Sequence, residues 1–257
     1  MKFDITGKFL GLFVVLTLVL TACSDKDDAT TPVAGNDWEG CRVTQIAYEG
    51  SKVSSIAYND RGLVSKKTDQ QPNGTKTYVE YTYDTGNKLV KEAYFDERSA
   101  PNGYVLYKYT SNLLTQAEEY YSDKLEYVTT YKYDAANRVT EITEDDIYTR
   151  TFTYNTAGNV SESRILYIGR EYMMLLYEDY DNNPAPHTAL NGLLELSEGS
   201  SKNNPGKVTT TYTNADGTTG KSVTTYTYEY NTSNLPTKVT EKDEEGSSVT
   251  NYSYECR

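Results

Sequence analysis

The sequence predicts an all-β protein, an antiparallel β-meander of roughly 16 to 18 strands rolled into a closed or nearly closed barrel. Three observations carry this expectation. An aromatic-x-Tyr unit returns about every 25 residues, a turn-forming Asn, Asp or Gly group follows it, and one cysteine stands at each end of the repeating region. Composition narrows the chemistry. The 257 residues hold 26 Tyr but one His, one Trp and three Cys, and 37 acidic against 25 basic side chains give a formal charge of -12. Phosphate neutralisation needs clustered Lys and Arg, so this balance argues against nucleic-acid binding. One histidine is too few for a Cys/His zinc site or a His-based triad beside other partners, so no metal and no cofactor is expected.

The first 22 residues read as a secretory signal. Lys2 and Lys8 precede an apolar run from Phe9 to Leu20, which is too short for a spanning helix with a stop-transfer flank. Residues 23–40 contain Asp25, Asp27 and Asp28 with Thr, Pro and Gly and no periodic apolar positions, the composition of a flexible acidic tether. Loss of Lys2, Lys8 and Asp4 with the signal leaves 23 basic and 36 acidic residues, a charge of -13 that repels anionic surfaces.

Residues 41–257 form one repeat-built domain. Taking the second aromatic of each unit as a marker, Tyr58, Tyr83, Tyr109, Tyr133, Tyr154, Tyr180, Tyr230 and Tyr254 are separated by 25, 26, 24, 21, 26, 50 and 24 residues. The step of 50 reads as two periods with one degenerate copy. Period-two alternation places both aromatics of a unit on one face and Thr, Lys or Glu on the other, as in a half-buried strand. Groups such as Asn59-Asp60-Arg61-Gly62 and Asp84-Thr85-Gly86-Asn87 tolerate positive φ and turn the chain into the antiparallel partner, for example Lys88 to Tyr94 or Val160 to Tyr167. With few aliphatic residues per segment, Tyr rings are expected to do most of the packing.

The pattern is least regular from Asp181 to Lys207. Leu190, Leu193 and Leu194 have helical spacing between Pro186 and Pro205, which suggests a hydrophobic plug for one barrel mouth or, alternatively, a binding loop with Asp181, Asn182, Asn183 and His187 as candidate contacts. His187 is expected to be solvent-exposed or capping rather than a metal ligand. Cys41 begins the first strand and Cys256 ends the last. In an even-stranded meander both lie at one end of the sheet and become neighbours only if it closes, so a Cys41–Cys256 disulfide and a closed barrel imply each other; two free thiols are the alternative. Trp38 and the adjacent Tyr120 and Tyr121 break the alternation or precede it, and one of the two tyrosines must face outward, so these three are the candidate aromatic contacts. The acidic clusters Glu144-Asp145-Asp146 and Asp243-Glu244-Glu245 lack an EF-hand register and read as turn acids.

Leu20-Thr21-Ala22-Cys23 resembles a bacterial lipobox, and Ser24 to Asp28 behind it resembles the surface-export signal of Bacteroidetes-type lipoproteins. The Tyr-x-Tyr-Asp/Asn units followed by Gly or Asn and then Leu or Val resemble YD (RHS-type) repeats. The whole layout resembles Bacteroidetes surface lipoproteins of unknown function whose described fold is porin-like. The resemblance implies acylation of Cys23, anchoring in the bilayer of the outer membrane and display at the cell surface. The non-Tyr face, rich in Thr, Lys and Glu, speaks against an integral pore. The expected role is non-enzymatic, a binding or scaffold module for an extracellular glycan or protein; a glycan hydrolase and a periplasm-facing structural lipoprotein are the alternatives.

Overall fold

The computed structural model describes residues 40–257 except 191, 194–200 and 215, so the signal, Cys23, Trp38 and Leu194 lie outside the described residues. Sixteen strands follow one another: β1 (Cys41–Tyr48), β2 (Val53–Tyr58), β3 (Val64–Gln70), β4 (Lys76–Tyr83), β5 (Leu89–Phe95), β6 (Pro101–Thr110), β7 (Leu113–Tyr121), β8 (Lys124–Tyr133), β9 (Val139–Glu144), β10 (Tyr148–Tyr154), β11 (Val160–Tyr167), β12 (Arg170–Glu178), β13 (Lys207–Thr213), β14 (Thr219–Tyr230), β15 (Pro236–Lys242) and β16 (Ser247–Cys256). Each pairs antiparallel with its sequence neighbours, and β1 pairs with β16, which closes the barrel. Cys41 and Cys256 stand opposite each other in that last register and are joined by a disulfide across the seam.

The hairpins alternate between two ends. Those after the even strands, together with Cys41, Cys256 and the long β12–β13 connection, occupy one end, here the plug end; those after the odd strands form the far rim. At the plug end one turn design recurs. The side chain of Asn59 accepts from the backbone N–H groups of Arg61 and Leu63 at 2.9 and 3.1 Å, and Asp84, Asp134, Asn155 and Asn231 hold their own turns the same way. The position of positive φ falls on Gly62, Asn87, Asn137, Gly158 and Asn234, residue types that adopt it at little steric cost.

Directly after each such turn an aliphatic residue points inward and the next residue is skipped in the register. Tyr83 faces Leu89 whereas Thr82 faces Lys91, and equivalent shifts occur in β1, β3, β7, β9, β11 and β15. The backbone ladder on the other side of these odd strands stops short of the skip; between β3 and β4, for example, it ends at Lys66–Glu80. A marker tyrosine supplies the next bond. Tyr83 donates its hydroxyl to the Val64 carbonyl at 2.8 Å, and Tyr58, Tyr109, Tyr133, Tyr154, Tyr180 and Tyr254 do the same to Val43, Leu89, Leu114, Val139, Val160 and Pro236 at 2.7 to 2.8 Å. Burial drives the phenols of Tyr58, Tyr83, Tyr109, Tyr133 and Tyr254 above their ordinary range, Tyr133 to about 12, so these stay protonated donors.

Two expectations are corrected. The core is not built mostly from Tyr: the innermost residues are Val43, Val64, Leu89, Val105, Leu114, Val139 and Val160, at most 3 % exposed, while most marker tyrosines cover them half-buried with the hydroxyl engaged. One aliphatic residue per turn suffices because the hairpins stack those positions into a continuous row. Nor does the step from Tyr180 to Tyr230 hold a degenerate copy. It runs from the end of β12 to the end of β14, one period like the others, lengthened by the insertion. The eight markers therefore give sixteen strands, the lower bound of the expected count.

Replacing Tyr109 by Phe leaves the Leu89 carbonyl without its donor and should cost about 1 kcal/mol in urea unfolding. The bridge spans 215 residues of sequence, so Cys41→Ser or reduction should lower stability by roughly 2–5 kcal/mol on the loop-entropy account, measured as a fall in Tm.

Candidate functional site

Inward positions of the alternation carry charge as well as rings. On β5, Glu92 faces the interior between Tyr81 of β4 and Val105 of β6, and Val105 in turn faces Glu119 of β7. Glu92 is 5 % exposed; its Oε2 accepts from the Tyr94 hydroxyl at 3.2 Å, Tyr107 also donates to the carboxyl, and Oε1 is enclosed without a partner. Burial raises this acid to about 7 against the two tyrosines and the attraction of Lys67. Glu119 accepts from Tyr121 at 2.6 Å, and burial raises it too; Glu144, at the end of β9, is raised by burial and then by Asp145 and Glu119. Lys67 and Lys52 instead approach Asp69, at 3.7 and 2.8 Å. Burial raises Asp69, but these cations and the Ser54 hydroxyl outweigh it and hold the acid low. Arg150 of β10 reaches Ser163 and Tyr177, each at 3.4 Å. The interior thus carries an acidic stripe on β5, β7 and β9 among buried tyrosines. Such a stripe can hold protons, accept hydrogen bonds from hydroxyls or balance a cation.

The β12–β13 connection closes the plug end. Its 3₁₀ turn, Pro186–Ala189, carries Ala189, Leu190 and Leu193 into the cluster formed by Val43, Ile56, Val64, Tyr83 and Leu89. Gly192 adopts φ 83°, and a Cβ there would lie 2.9 Å from the Tyr83 ring, so the plug seats on the marker tyrosines. Asp181 ties the two ends of the insertion together: it accepts from the Asn183 N–H at 3.0 Å, from the Asn204 side chain at 3.1 Å and from the Tyr230 hydroxyl in a short contact. Asn183 in turn accepts at its carbonyl from Asn203 and Asn204, and Asn182 is exposed. His187 is half-buried, so the solvent-exposed branch of the expectation fails, and it stands in the last turn of the 3₁₀ element; burial pulls the imidazole down to about 4 and keeps it neutral at pH 7.

Tyr120 and Tyr121 do part to opposite faces. Tyr120 stands on the outer wall, stacked on Tyr104 at 4.9 Å, while Tyr121 lies against Gly103 beneath the interior acids, where a Cβ would approach its ring to 2.9 Å. Asp145 receives the Val128 N–H and Asp243 those of Glu245 and Gly246, as turn acids do. Among the described residues no group of three acidic, His or Cys side chains is arranged to hold a metal ion. Sequence reasoning missed Glu92, Glu119 and Arg150. Their signal was a charged residue in the inward phase of the alternation, two positions from an inward tyrosine.

No family model and no curated protein matches the chain. Solved structures do. A porin-like protein from Bacteroides uniformis superposes with a TM-score of 0.57 at 14 % identity, covering 84 % of this chain and 97 % of that one. The two share the closed, all-β barrel fold. A porin-like protein from Bacteroides vulgatus matches at TM-score 0.38 and 10 % identity over 82 % of this chain and 98 % of that one. The Photorhabdus luminescens Tc holotoxin pore matches at 0.23 and 12 % identity over 79 % of this chain and 9 % of that one. Of these three superpositions, the first is close enough to support a common fold.

Because its folded-state value is raised, Glu92 contributes stability only below the ordinary glutamate range and loses it as pH rises through about 7. Glu92→Gln should match the parent near pH 4 and exceed it above pH 7.5 by up to about 3 kcal/mol, as read by denaturation across pH.

Proposed function

We propose that the protein is a lipid-anchored barrel displayed at the cell surface, built from YD-type repeats, held by an acylated Cys23 at the end of its acidic tether, and acting as a non-enzymatic binding module for an extracellular glycan or protein. The observation that carries this reading is the outer wall. Cross-strand ion pairs run around it: Lys66–Glu80, Lys108–Glu118, Lys132–Glu141, Lys207–Glu178, Lys238–Glu229 and Arg42–Glu255. Each Lys or Arg on a lipid-facing wall costs about 2–4 kcal/mol at the bilayer midplane, so a wall of this kind favours water over hydrocarbon. Attachment then falls to the segment before β1, where Cys23 stands. A lipid needs no help from the strands to hold a protein at a membrane when a second signal accompanies it.

Binding through rings is supported on the same wall. Tyr78 stacks on Phe95 at 4.5 Å and Tyr104 on Tyr120 at 4.9 Å, with Lys66 and Lys91 over the rings of Tyr78 and Tyr104. Aromatic side chains of this kind offer apolar surface together with a hydroxyl for a sugar or peptide.

Protease treatment of intact cells should remove the protein, with permeabilised cells as the control, and Cys23→Ser should release it from the membrane fraction. Protection in intact cells would overturn surface display, and retention of the Cys23→Ser chain at the membrane would overturn the lipid anchor.

A further inference from the structure

The two ends of the barrel differ in charge and in apolar exposure. In the eight far-rim hairpins, between the odd strands and the even ones that follow, ten acids (Glu49, Asp96, Glu97, Asp123, Asp145, Asp146, Asp216, Asp243, Glu244 and Glu245) stand against two bases, Lys52 and Arg98. The six short hairpins of the plug end carry three of each. The exposed large hydrophobic residues among those described, Val53, Leu125, Ile147, Tyr167, Ile168 and Tyr212, all lie in or within two residues of a far-rim hairpin.

Three of these, Ile147, Tyr167 and Ile168, form one connected stretch, and Leu125 stands on a neighbouring strand. The Ile168 N–H donates to the Ile147 carbonyl at 2.7 Å, the Tyr167 ring packs on Tyr148 at 5.1 Å, and the Ile147 hairpin is held to β8, which carries Leu125, by paired bonds between Asp145 and Val128. Ile168 is the outlier. It is 65 % exposed and sits at φ 48°, in the first position of a two-residue turn with Gly169, where Asn, Asp or Gly is usual and a β-branched side chain is strained. The neighbouring tight turn at the same rim uses Ser122-Asp123. A strained backbone that holds an isoleucine out in water is a cost the fold itself does not require, and such outliers concentrate at functional positions.

We propose that this part of the far rim, with Leu125, Ile147, Tyr167 and Ile168 as apolar knobs inside an acidic crown, is the docking surface for a partner protein, which presents a segment alternating basic and aliphatic side chains. The acidic crown selects the occupant: it is complementary to a basic segment and repels anionic lipid. The inference names a partner class for the proposed binding module and rests on that reading; the rim lies at the end opposite the one where the chain enters β1.

The test uses the intact chain with its bridge formed and a fluorescent decapeptide of alternating Lys and Leu. Saturable, salt-sensitive binding is expected by anisotropy. Ile168→Asn should weaken it by about tenfold or more while raising Tm, because asparagine accepts this backbone region more readily than isoleucine. Asp145→Asn with Asp146→Asn should weaken it while steepening no unfolding transition. Equal binding by the Ile168→Asn chain, or equal binding of a Glu-Leu decapeptide, overturns the proposal. So does Ile168-dependent adsorption to phosphatidylglycerol vesicles, which points to lipid, or Ile168-dependent self-association in sedimentation, which points to a second copy. These readouts need no cell, so their failure is distinguishable from failure of the protease test of surface display.

Discussion

The bond from a marker tyrosine hydroxyl to the carbonyl beside a register skip is what the rest of the barrel depends on. Six odd strands, β3, β5, β7, β9, β11 and β15, enter the sheet from a tight turn, and in these and in β1 the skipped residue lets an aliphatic side chain turn inward at the cost of interrupting the ladder. A backbone carbonyl left there without a donor would be a buried loss. Seven tyrosines remove it, six from the neighbouring even strand and Tyr180 from just beyond β12, so seven of the eight periods carry their own repair. The eighth marker, Tyr230, bonds Asp181 instead, while Tyr228 donates to the Pro205 carbonyl. That one departure coincides with the one place where the period is lengthened, so the same residue type both holds the regular barrel and clasps its insertion.

From this follows a molecule with unlike ends. The plug end gathers the disulfide and the hydrophobic insertion, and its hairpin charges balance. The far rim gathers acids, exposed apolar side chains and a strained isoleucine. Closure removes edge strands that would otherwise pair with other chains, which leaves the rims and the outer wall as the surfaces on which recognition can be built. The ion pairs of that wall contribute little to stability individually, being exposed and screened; their consequence is to suit the wall to water.

The interior sets a different balance. Glu92 is buried among tyrosines on a wall that also holds Glu119 and Glu144, and neutralising it by protonation is easier than balancing its charge, since Lys67 is drawn to Asp69. A buried acid that weakens the fold as it ionises gives the barrel a pH-dependent stability that an all-apolar lining would lack.

Much was readable in the chain because its information is local and repeated. The strand-ending Tyr and the turn group behind it specify strand phase, turn and partner strand within a dozen residues, and eight such marker tyrosines fix an all-β meander; the pair Cys41 and Cys256 ties closure to a single covalent test. The candidate residues were less readable. Asp181 and Asn183 look like exposed ligands in sequence but are clasps, because their partners Asn204 and Tyr230 arrive from later segments. His187 is half-buried in a turn whose Ala189 packs into a core cluster of the barrel. By itself, then, the sequence determined the strand period, the inward face and the pairing order, all consequences of alternation and turn chemistry between near neighbours. Tertiary structure alone decided that the 50-residue step is an insertion and not a lost repeat, that tyrosine hydroxyls mend a broken ladder, and that Glu92 faces Glu119 across β6, because each depends on which distant strand closure brings alongside.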